Sequence, residues 1–233
     1  RGDSCRGTGA TAHVVMLAAR SAESPSSLAE QAYRVLEEKL VKLELSPGSV
    51  VSESQLIQIT GLGRTPVREA MLRLAQQELF QVLPRKGLLV TPVSLPDILH
   101  VLEVRRPLER VIVYRAALNA RDEQRSGLAS FARDLAIAHD DFDTFVRLDI
   151  ALADLLDVCS GNAFASAAAA PLRSHCRRFW CFHRQRLQLA DCISAQSKMA
   201  RLVARRDTAG AQKASDAVIA GMERLAASID RFG

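Results

Sequence analysis

The stretch that decides the fold is Gly63-Arg64-Thr65-Pro66-Val67-Arg68-Glu69-Ala70, which follows a tight Gly61-Leu62-Gly63 turn. Thr65 can cap a helix, and Pro66 suits a first helical position because its missing N–H is no loss there. We therefore expect a helix over 67–78. Its apolar residues Val67, Ala70, Met71 and Leu74 recur at helical spacing.

Capping patterns predict two further helices before this turn. Ser27 with Glu30 begins a helix that runs to about Glu44, where Ser46-Pro47-Gly48 stops it. Ser52 with Gln55 begins a short helix that ends at Thr60. The second and third helices then form a helix-turn-helix. Residues 1–26 show no period and are expected to be a disordered tail.

Two short extended runs follow the third helix. Leu79–Leu83 and Leu88–Thr91 are joined by the basic turn Pro84-Arg85-Lys86-Gly87, which predicts a β-hairpin. From Ser94 onward the pattern is helical only, with helices through Ala116 and then at about 122–138, 141–158, 163–190, 193–206 and 208–229. Pro171 is expected to kink or divide the helix that contains it.

The composition is that of a mostly α protein. The 233 residues are 48% hydrophobic but only 5% aromatic, with sparse Gly and Pro, so helix packed on helix is expected. We predict a winged helix-turn-helix over 27–93, made of three helices and a β-hairpin. An all-α antiparallel bundle over 94–233 follows it.

Several classes of protein are disfavoured. The longest apolar runs are too short for a membrane span, and the first residues imitate a secretory signal only weakly, so a cytoplasmic location is expected. The five cysteines contain no Cys-x-x-Cys pair, which favours reduced thiols over disulfides or a thiolate zinc site.

The first turn of the predicted third helix carries the best candidates for nucleic-acid recognition. Arg64 and Arg68 lie one turn apart, and arginine can donate two parallel hydrogen bonds to guanine in the major groove. Arg85 and Lys86 on the hairpin could contact the phosphate backbone or an adjacent minor groove. The net charge of +5 is compatible with DNA, but a solvated helix start and turn would give the same pattern.

The alternative is a small-molecule enzyme that uses the helical domain. Asp140-Asp141-Phe142-Asp143 could hold Mg²⁺ or supply acid and base, but helix capping explains it more simply. No phosphate-binding loop, complete dinucleotide fingerprint or nucleophile-base pairing is evident. His139, His175 and His183 lack metalloprotease spacing and are expected at helix surfaces or in partly buried polar contacts.

These residues resemble a known family. The N-terminal segment is similar to the winged helix of GntR-type transcriptional regulators, through Leu45-Ser46-Pro47-Gly48, Glu53, Leu56, the 64–70 run, Leu72, Leu74, Pro84-Arg85-Lys86-Gly87 and Val90. The rest resembles the FCD-type effector domain of the FadR-like subgroup, through Glu103-Val104-Arg105, Leu108-Glu109, Asp149, Ser160-Gly161-Asn162, Asp207 and Ala211.

The resemblance implies a homodimeric repressor that binds a palindromic operator and responds to a small anionic metabolite. It places DNA contacts at Arg64, Thr65 and Arg68 in the recognition helix and at Lys86 or Gly87 in the wing. Two positions depart from the family, which usually has Ser or Thr where Gly63 stands and often a basic residue where Ser54 stands. Their phosphate contacts are expected to be weaker or made by the backbone.

The effector domain departs further. Many FCD-type domains hold a metal with one Asp and three His, and here Asp149 matches the acidic position. The histidine positions correspond to Ala153, Gln196 and Val218. We therefore expect a pocket without a metal and no other cofactor, with Asp149 and Gln196 lining it. Arg105 is the candidate partner of an anionic effector, the alternative being an internal salt bridge to Asp149 or Glu109.

Overall fold

The computed structural model describes residues 27–137 and 141–230, so the predicted tail over 1–26 lies outside the described residues. The described chain forms two compact units. One contains residues 27–98 together with 171–184, and the other contains the remaining described residues. The predicted division between 93 and 94 stays a prediction, and the segment 171–184 is an addition to the N-terminal unit that the sequence did not suggest.

Three helices and a small sheet form the N-terminal segment of the first unit. The helices are α1 (Leu28–Val41), α2 (Glu53–Thr60) and α3 (Arg64–Gln76), and the strands are β1 (Val50–Val51), β2 (Phe80–Leu83) and β3 (Gly87–Val90). Both strand pairs are antiparallel in the order β1-β3-β2, with Val51 opposite Leu88 and Phe80 opposite Val90. The predicted hairpin is present, and the two-residue β1 adds a strand too short to show any alternation.

The apolar faces of all three helices meet the sheet in one core. Its fully buried members lie at helical spacing on α1 and alternate along β3, as one-sided burial requires. They include Leu36, Leu40, Leu56, Val67, Leu74, Phe80, Leu88 and Val90. This packing fixes which faces of α2 and α3 remain exposed.

The helix caps confirm two predictions and correct a third. Ser27 and Ser52 cap α1 and α2, and Ser52 forms the full capping box with Gln55. The prediction that Thr65 caps a helix starting at Val67 is wrong, because α3 begins at Arg64 with Gly63 as its N-cap. Pro66 is still tolerated, since the first-turn N–H groups have no intrahelical acceptor.

The other unit is all-α, as predicted. The described helices that contribute to it are α4 (Leu95–Asn119), α5 (Asp122–Ile137), α6 (Phe142–Ser160), α7 (Ala163–Phe182), α8 (Leu189–Ala204) and α9 (Thr208–Asp230). The start of α4 and the end of α7 belong to the first unit. Helix α8 packs against both α5 and α9, which makes it the central helix of this unit. The part of the chain that the structure describes is therefore a small sheet-containing unit followed by helices.

Helix α7 differs most from its predicted bounds. The expected helix over 163–190 ends at Phe182, a 3₁₀ turn spans Arg184–Arg186, and the next helix starts at Leu189 rather than near 193. Pro171 does not divide α7, although the chain passes from one unit to the other at this residue. Residues 171–184 then contact the rest of the first unit: Arg178 donates to the Thr91 hydroxyl and carbonyl at 3.0 and 2.7 Å.

Candidate DNA-binding interface

A left-handed residue joins α2 to α3. Gly61 ends α2 with φ of +66°, a conformation that favours glycine, and its N–H donates to the Ile57 carbonyl. Gly63 then adopts an extended backbone, with φ of −69°, and α3 starts immediately after it. The chain therefore turns sharply and presents the first turn of α3 at the surface.

The exposed first two turns of α3 hold the predicted recognition residues. Arg64, Thr65 and Arg68 are all exposed, and 71% of the Arg64 side chain and 58% of the Arg68 side chain remain accessible. Spacing of four residues puts Arg64 and Arg68 on one face of the helix. The structure therefore brings the two predicted arginines together on an open surface.

One carboxylate, Glu53 at the start of α2, contacts both arginines. Arg64 Nε donates to Glu53 Oε1 at 2.7 Å, and Arg68 Nε lies 3.0 and 2.9 Å from Oε1 and Oε2. The hydrogen bond from Arg68 is the main cause that holds the pKa of Glu53 below its usual value. No sequence pattern indicated this contact, because Glu53 and Arg64 are eleven positions apart in the chain and a turn lies between them.

The C-terminal half of α3 is held differently. Arg73 Nη1 lies 2.6 Å from Glu30 Oε2, and its guanidinium lies 3.7 Å from the centroid of the Tyr33 ring. The Tyr33 hydroxyl donates toward Glu37 and Gln77, and burial raises the pKa of that hydroxyl. Arg73 therefore contacts α1, whereas Arg64 and Arg68 face outward.

The wing presents two cations at a tight turn. Lys86 N donates to the Leu83 carbonyl at 3.0 Å, and Arg85 adopts φ of +64° inside this turn. The Arg85 and Lys86 side chains are exposed and form no ion pair with any residue in 27–137 or 141–230. Both cations are available to an external anion.

Gly87, predicted as a wing contact, occupies a crowded position. Its φ is +110°, and a Cβ built on it would lie 2.5 Å from the Val51 carbonyl oxygen. Only glycine allows β1 and β3 to approach so closely here. Its predicted contact with DNA remains a prediction beside this structural role.

A groove separates α3 from the wing. Leu72, Val82, Leu83 and Leu88 line it, together with Glu53 and Arg68. Leu72, one turn after Arg68, is exposed although it is apolar. The groove, the arginines and the wing tip therefore share one surface of the first unit.

The two positions that depart from the family pattern lie on the same surface. Ser54 is exposed at the start of α2, where its hydroxyl lies 2.9 Å from that of Ser52. A Cβ added to Gly63 would meet open space, with Pro66 Cδ at 4.0 Å as the nearest atom. Neither position is obstructed, and their phosphate contacts stay predictions.

The effector-site residues lie inside the helical unit. Gln196 Nε2 on α8 donates to Asp149 Oδ1 on α6 at 2.6 Å, with both residues buried. Arg105 Nε donates to Glu109 Oε1 at 3.0 Å, which is one of the internal salt bridges weighed for it. Among the described residues, no group of three or more His, Cys, Asp or Glu side chains could hold a metal ion.

The remaining candidates have structural contacts. Asp141 caps α6 by accepting from the Asp143 and Thr144 N–H groups, as predicted, whereas Asp140 and His139 lie outside the described residues. His175 makes a partly buried contact, with Nε2 2.8 Å from the Gln77 carbonyl oxygen.

The four cysteines in the described ranges are free thiols. None of the described helices has the length and apolarity needed to cross a membrane.

Comparisons with known proteins match this arrangement. Residues 28–90 match the bacterial regulatory proteins of the gntR family, and residues 100–221 match the FCD domain. The second match alone covers more than half of the chain. The chain belongs to the gntR family of bacterial regulatory proteins and carries an FCD domain.

Individual relatives agree with this family. The chain is 30% identical over 122 residues to the HTH-type transcriptional repressor RspR of Escherichia coli K12, covering 52% of this chain and 54% of RspR. A 62-residue match at 44% identity covers 27% of this chain and 26% of an HTH-type regulator of Streptomyces ambofaciens. The chain thus spans about half the length, or less, of these curated relatives.

Solved structures share the fold. E. coli McbR/YncC aligns with a TM-score of 0.75 at 19% identity, over 89% of this chain and all of that one. A putative GntR regulator from Rhodococcus sp. RHA1 aligns with a TM-score of 0.64 at 16% identity, again over 89% of this chain and all of that one. These two structural likenesses confirm the predicted fold class: a winged helix followed by a helical domain.

Proposed function

We propose that this member of the gntR family is a homodimeric repressor that acts on the cytoplasmic DNA of its cell. In this proposal Arg64, Thr65 and Arg68 read a palindromic operator, and a small carboxylate bound in the helical unit changes operator affinity. The observation that carries the proposal is the pair of exposed arginines on the first two turns of the second helix of a helix-turn-helix.

The chemistry of the N-terminal part of α3 suits a major groove. Each arginine can donate two hydrogen bonds to O6 and N7 of guanine, which contributes about 1–3 kcal/mol of discrimination. The Thr65 hydroxyl and the N-terminal amides of α3 suit a phosphate. Arg85 and Lys86 would bind the backbone beside the groove, with Gly63, Gly87 and Ser54 as further backbone contacts.

Selection of duplexes from a randomised library with the full chain would test this function. We expect an enriched palindrome for which Arg64→Ala and Arg68→Ala each reduce the preference over random DNA by at least about fivefold. Arg73→Ala is the matched control, since Arg73 lies on the same helix but faces Tyr33 and Glu30. An unchanged preference in both test variants would contradict the assignment.

An apolar stripe on α4 supports the homodimer. Val104, Val111 and Leu118 recur every seven residues, and Tyr114 lies beside them; all four side chains are more than 40% exposed. A second copy of α4 related by a two-fold axis could cover this stripe and would place two reading heads on a palindrome.

Light scattering coupled to size exclusion would test the dimer. Val111→Glu should shift the mass from dimer to monomer, because a carboxylate buried between two helices lacks a partner. Val158→Glu on α6 is the control, since Val158 is 41% exposed but lies outside the stripe. A wild-type monomer, or equal behaviour of both variants, would refute this interface.

Buried polar groups in the FCD domain support a small polar effector. Arg105 and Glu109 form their ion pair at low exposure, and a buried guanidinium is a strong hydrogen-bond donor to a carboxylate. Gln196 Oε1 is buried without a hydrogen-bond partner in the part of the chain that the structure describes. A bound effector that carries a carboxylate and a hydrogen-bond donor would complement Arg105 and Gln196. Asp149, which accepts from Gln196 Nε2, would hold the Gln196 amide in place.

Thermal shift with a panel of mono-, di- and tricarboxylates would test the effector. A ligand at about 100 times its Kd stabilises the folded chain by about 2.7 kcal/mol. We expect this stabilisation to disappear in Arg105→Met but to persist in Arg110→Met, whose ion pair with Asp216 is partly exposed. Equal stabilisation of both variants would exclude Arg105 from the site.

RspR of E. coli, which is named a repressor, supports repression by likeness over half of the chain. A reporter gene placed behind the selected operator would test this part of the proposal. Repression predicts lower reporter expression when the chain is present, and higher expression would show activation.

A further inference from the structure

Glu53 is placed underneath the two reading arginines. Its side chain is 23% exposed, against 71% for Arg64 and 58% for Arg68, so the carboxylate lies closer to the protein body than the guanidinium groups it binds. It receives bonds from both arginines at 2.7 to 3.0 Å. One side chain thus restrains two flexible arginines at once.

The nitrogen that each arginine uses is informative. Both bond Glu53 through Nε, the inner nitrogen of the guanidinium group. No other residue within 27–137 or 141–230 bonds to the two terminal nitrogens of Arg64 or Arg68. Those terminal nitrogens form the parallel donor pair that fits O6 and N7 of guanine end-on.

Charge adds a second effect. Two guanidinium groups that share one carboxylate repel each other less than they would alone, and the ionised state of Glu53 is favoured by its bonds to both. The same negative charge repels DNA phosphates, and this repulsion is independent of sequence. Glu53 should therefore weaken binding to any duplex while it fixes the arginines for one sequence.

We propose that Glu53 is a positioning residue that sets operator specificity, by holding Arg64 and Arg68 through Nε with their terminal nitrogens directed at bases. This inference rests on the proposed DNA-binding function. It differs from simple competition, in which Glu53 would occupy the arginines until DNA displaces it. Positioning predicts opposite changes in discrimination and in general affinity when the charge is removed.

The test is Glu53→Gln in the full chain, measured on the duplex selected by the wild type and on random duplexes across a salt series. Gln offers one acceptor oxygen instead of two and carries no charge. The affinity for random DNA should rise, and the slope of log affinity against log salt concentration should become steeper by up to about one ion. Operator-over-random preference should fall about tenfold, which is within the range for one lost bidentate contact.

Glu69→Gln is the matched control. Glu69 is exposed on α3 next to Arg68, and it forms no ion pair with the described residues. Glu69→Gln should raise the affinity for random DNA as Glu53→Gln does, and it should leave the operator-over-random preference unchanged. Thermal unfolding of both variants would show that each is folded.

The outcomes separate the hypotheses. Unchanged preference in Glu53→Gln, or an equal rise in operator and random affinity, would overturn positioning and indicate competition or bulk charge. A parallel loss of both affinities would indicate a merely structural role and would also overturn it. A wild-type chain that selects no sequence would overturn the proposed function itself.

Discussion

Replacement of Gly87 by alanine tests how the wing is held against β1. The substituted residue would have to keep φ of +110°, which costs an L-residue about 1–3 kcal/mol. Its Cβ would also lie 2.5 Å from the Val51 carbonyl oxygen and 3.3 Å from the carbonyl carbon. Because these are backbone atoms, relief requires β1 and β3 to separate rather than a side chain to rotate.

The clash adds to the backbone strain. Overpacking of a tight site costs about 1–3 kcal/mol, so Gly87→Ala should lose roughly 2–6 kcal/mol in total. For a chain of this size each kcal/mol lowers the melting temperature by about 2–4 °C. Thermal unfolding followed by circular dichroism should therefore show a drop of at least about 4 °C.

Gly61→Ala separates the two contributions. Gly61 has φ of +66° but nothing within 4 Å of its Cβ position, so alanine there meets left-handed strain without a clash. That strain alone is about 1–2 kcal/mol. Gly87→Ala should be the less stable of the two by at least about 1 kcal/mol. Equal melting temperatures would refute the claim that the Val51 backbone is what requires glycine in the wing.

Two further predictions concern the same unit. Gly63→Ser should bind DNA of every sequence more strongly than Gly63→Ala does. The extended backbone at Gly63, with φ of −69°, and the open space around it admit a hydroxyl that can bond a phosphate. Gel shifts that rank the two variants equally would contradict this prediction. Burial lowers the pKa of His175 below its usual 6.5, so the folded state binds fewer protons than the unfolded state. Stability should therefore fall as pH drops below about 6.5, by at most about 1.4 kcal/mol per pH unit, and denaturant titrations of His175→Gln should lack this slope.

Local signals in the sequence were sufficient to predict the structure where it depends on one short segment of the chain. Ser52 and Gln55 satisfy each other's backbone within four residues, so their capping box could be predicted and is confirmed. The cap at α3 was predicted too late in the chain, because Thr65 and Pro66 also suit the interior of a first helical turn. Gly63 carries no side-chain signal for a cap at all.

Features that depend on distant contacts could not be predicted. The break between Phe182 and Leu189 contains neither glycine nor proline, so no local breaker indicates it. The addition of residues 171–184 to the first unit rests on contacts such as Arg178 with Thr91, which are 87 residues apart. The contact of Glu53 with Arg64 and Arg68 depends in the same way on the angle between α2 and α3.

The spacing of the arginines along α3 shows which side chains helical geometry alone places on the exposed face. Arg64 and Arg68 differ by four residues and share a face, whereas Arg68 and Arg73 differ by five, which rotates the side chain by about 140° around the axis. That rotation directs Arg73 to Tyr33 and Glu30 and leaves Arg64 and Arg68 facing outward. The helix is therefore anchored to α1 near its C-terminal end and supported by Glu53 at its N-terminal end. Because Glu53 already restrains Arg64 and Arg68, these two side chains would lose less freedom on binding DNA as proposed, and more of their hydrogen-bond energy would then discriminate between bases.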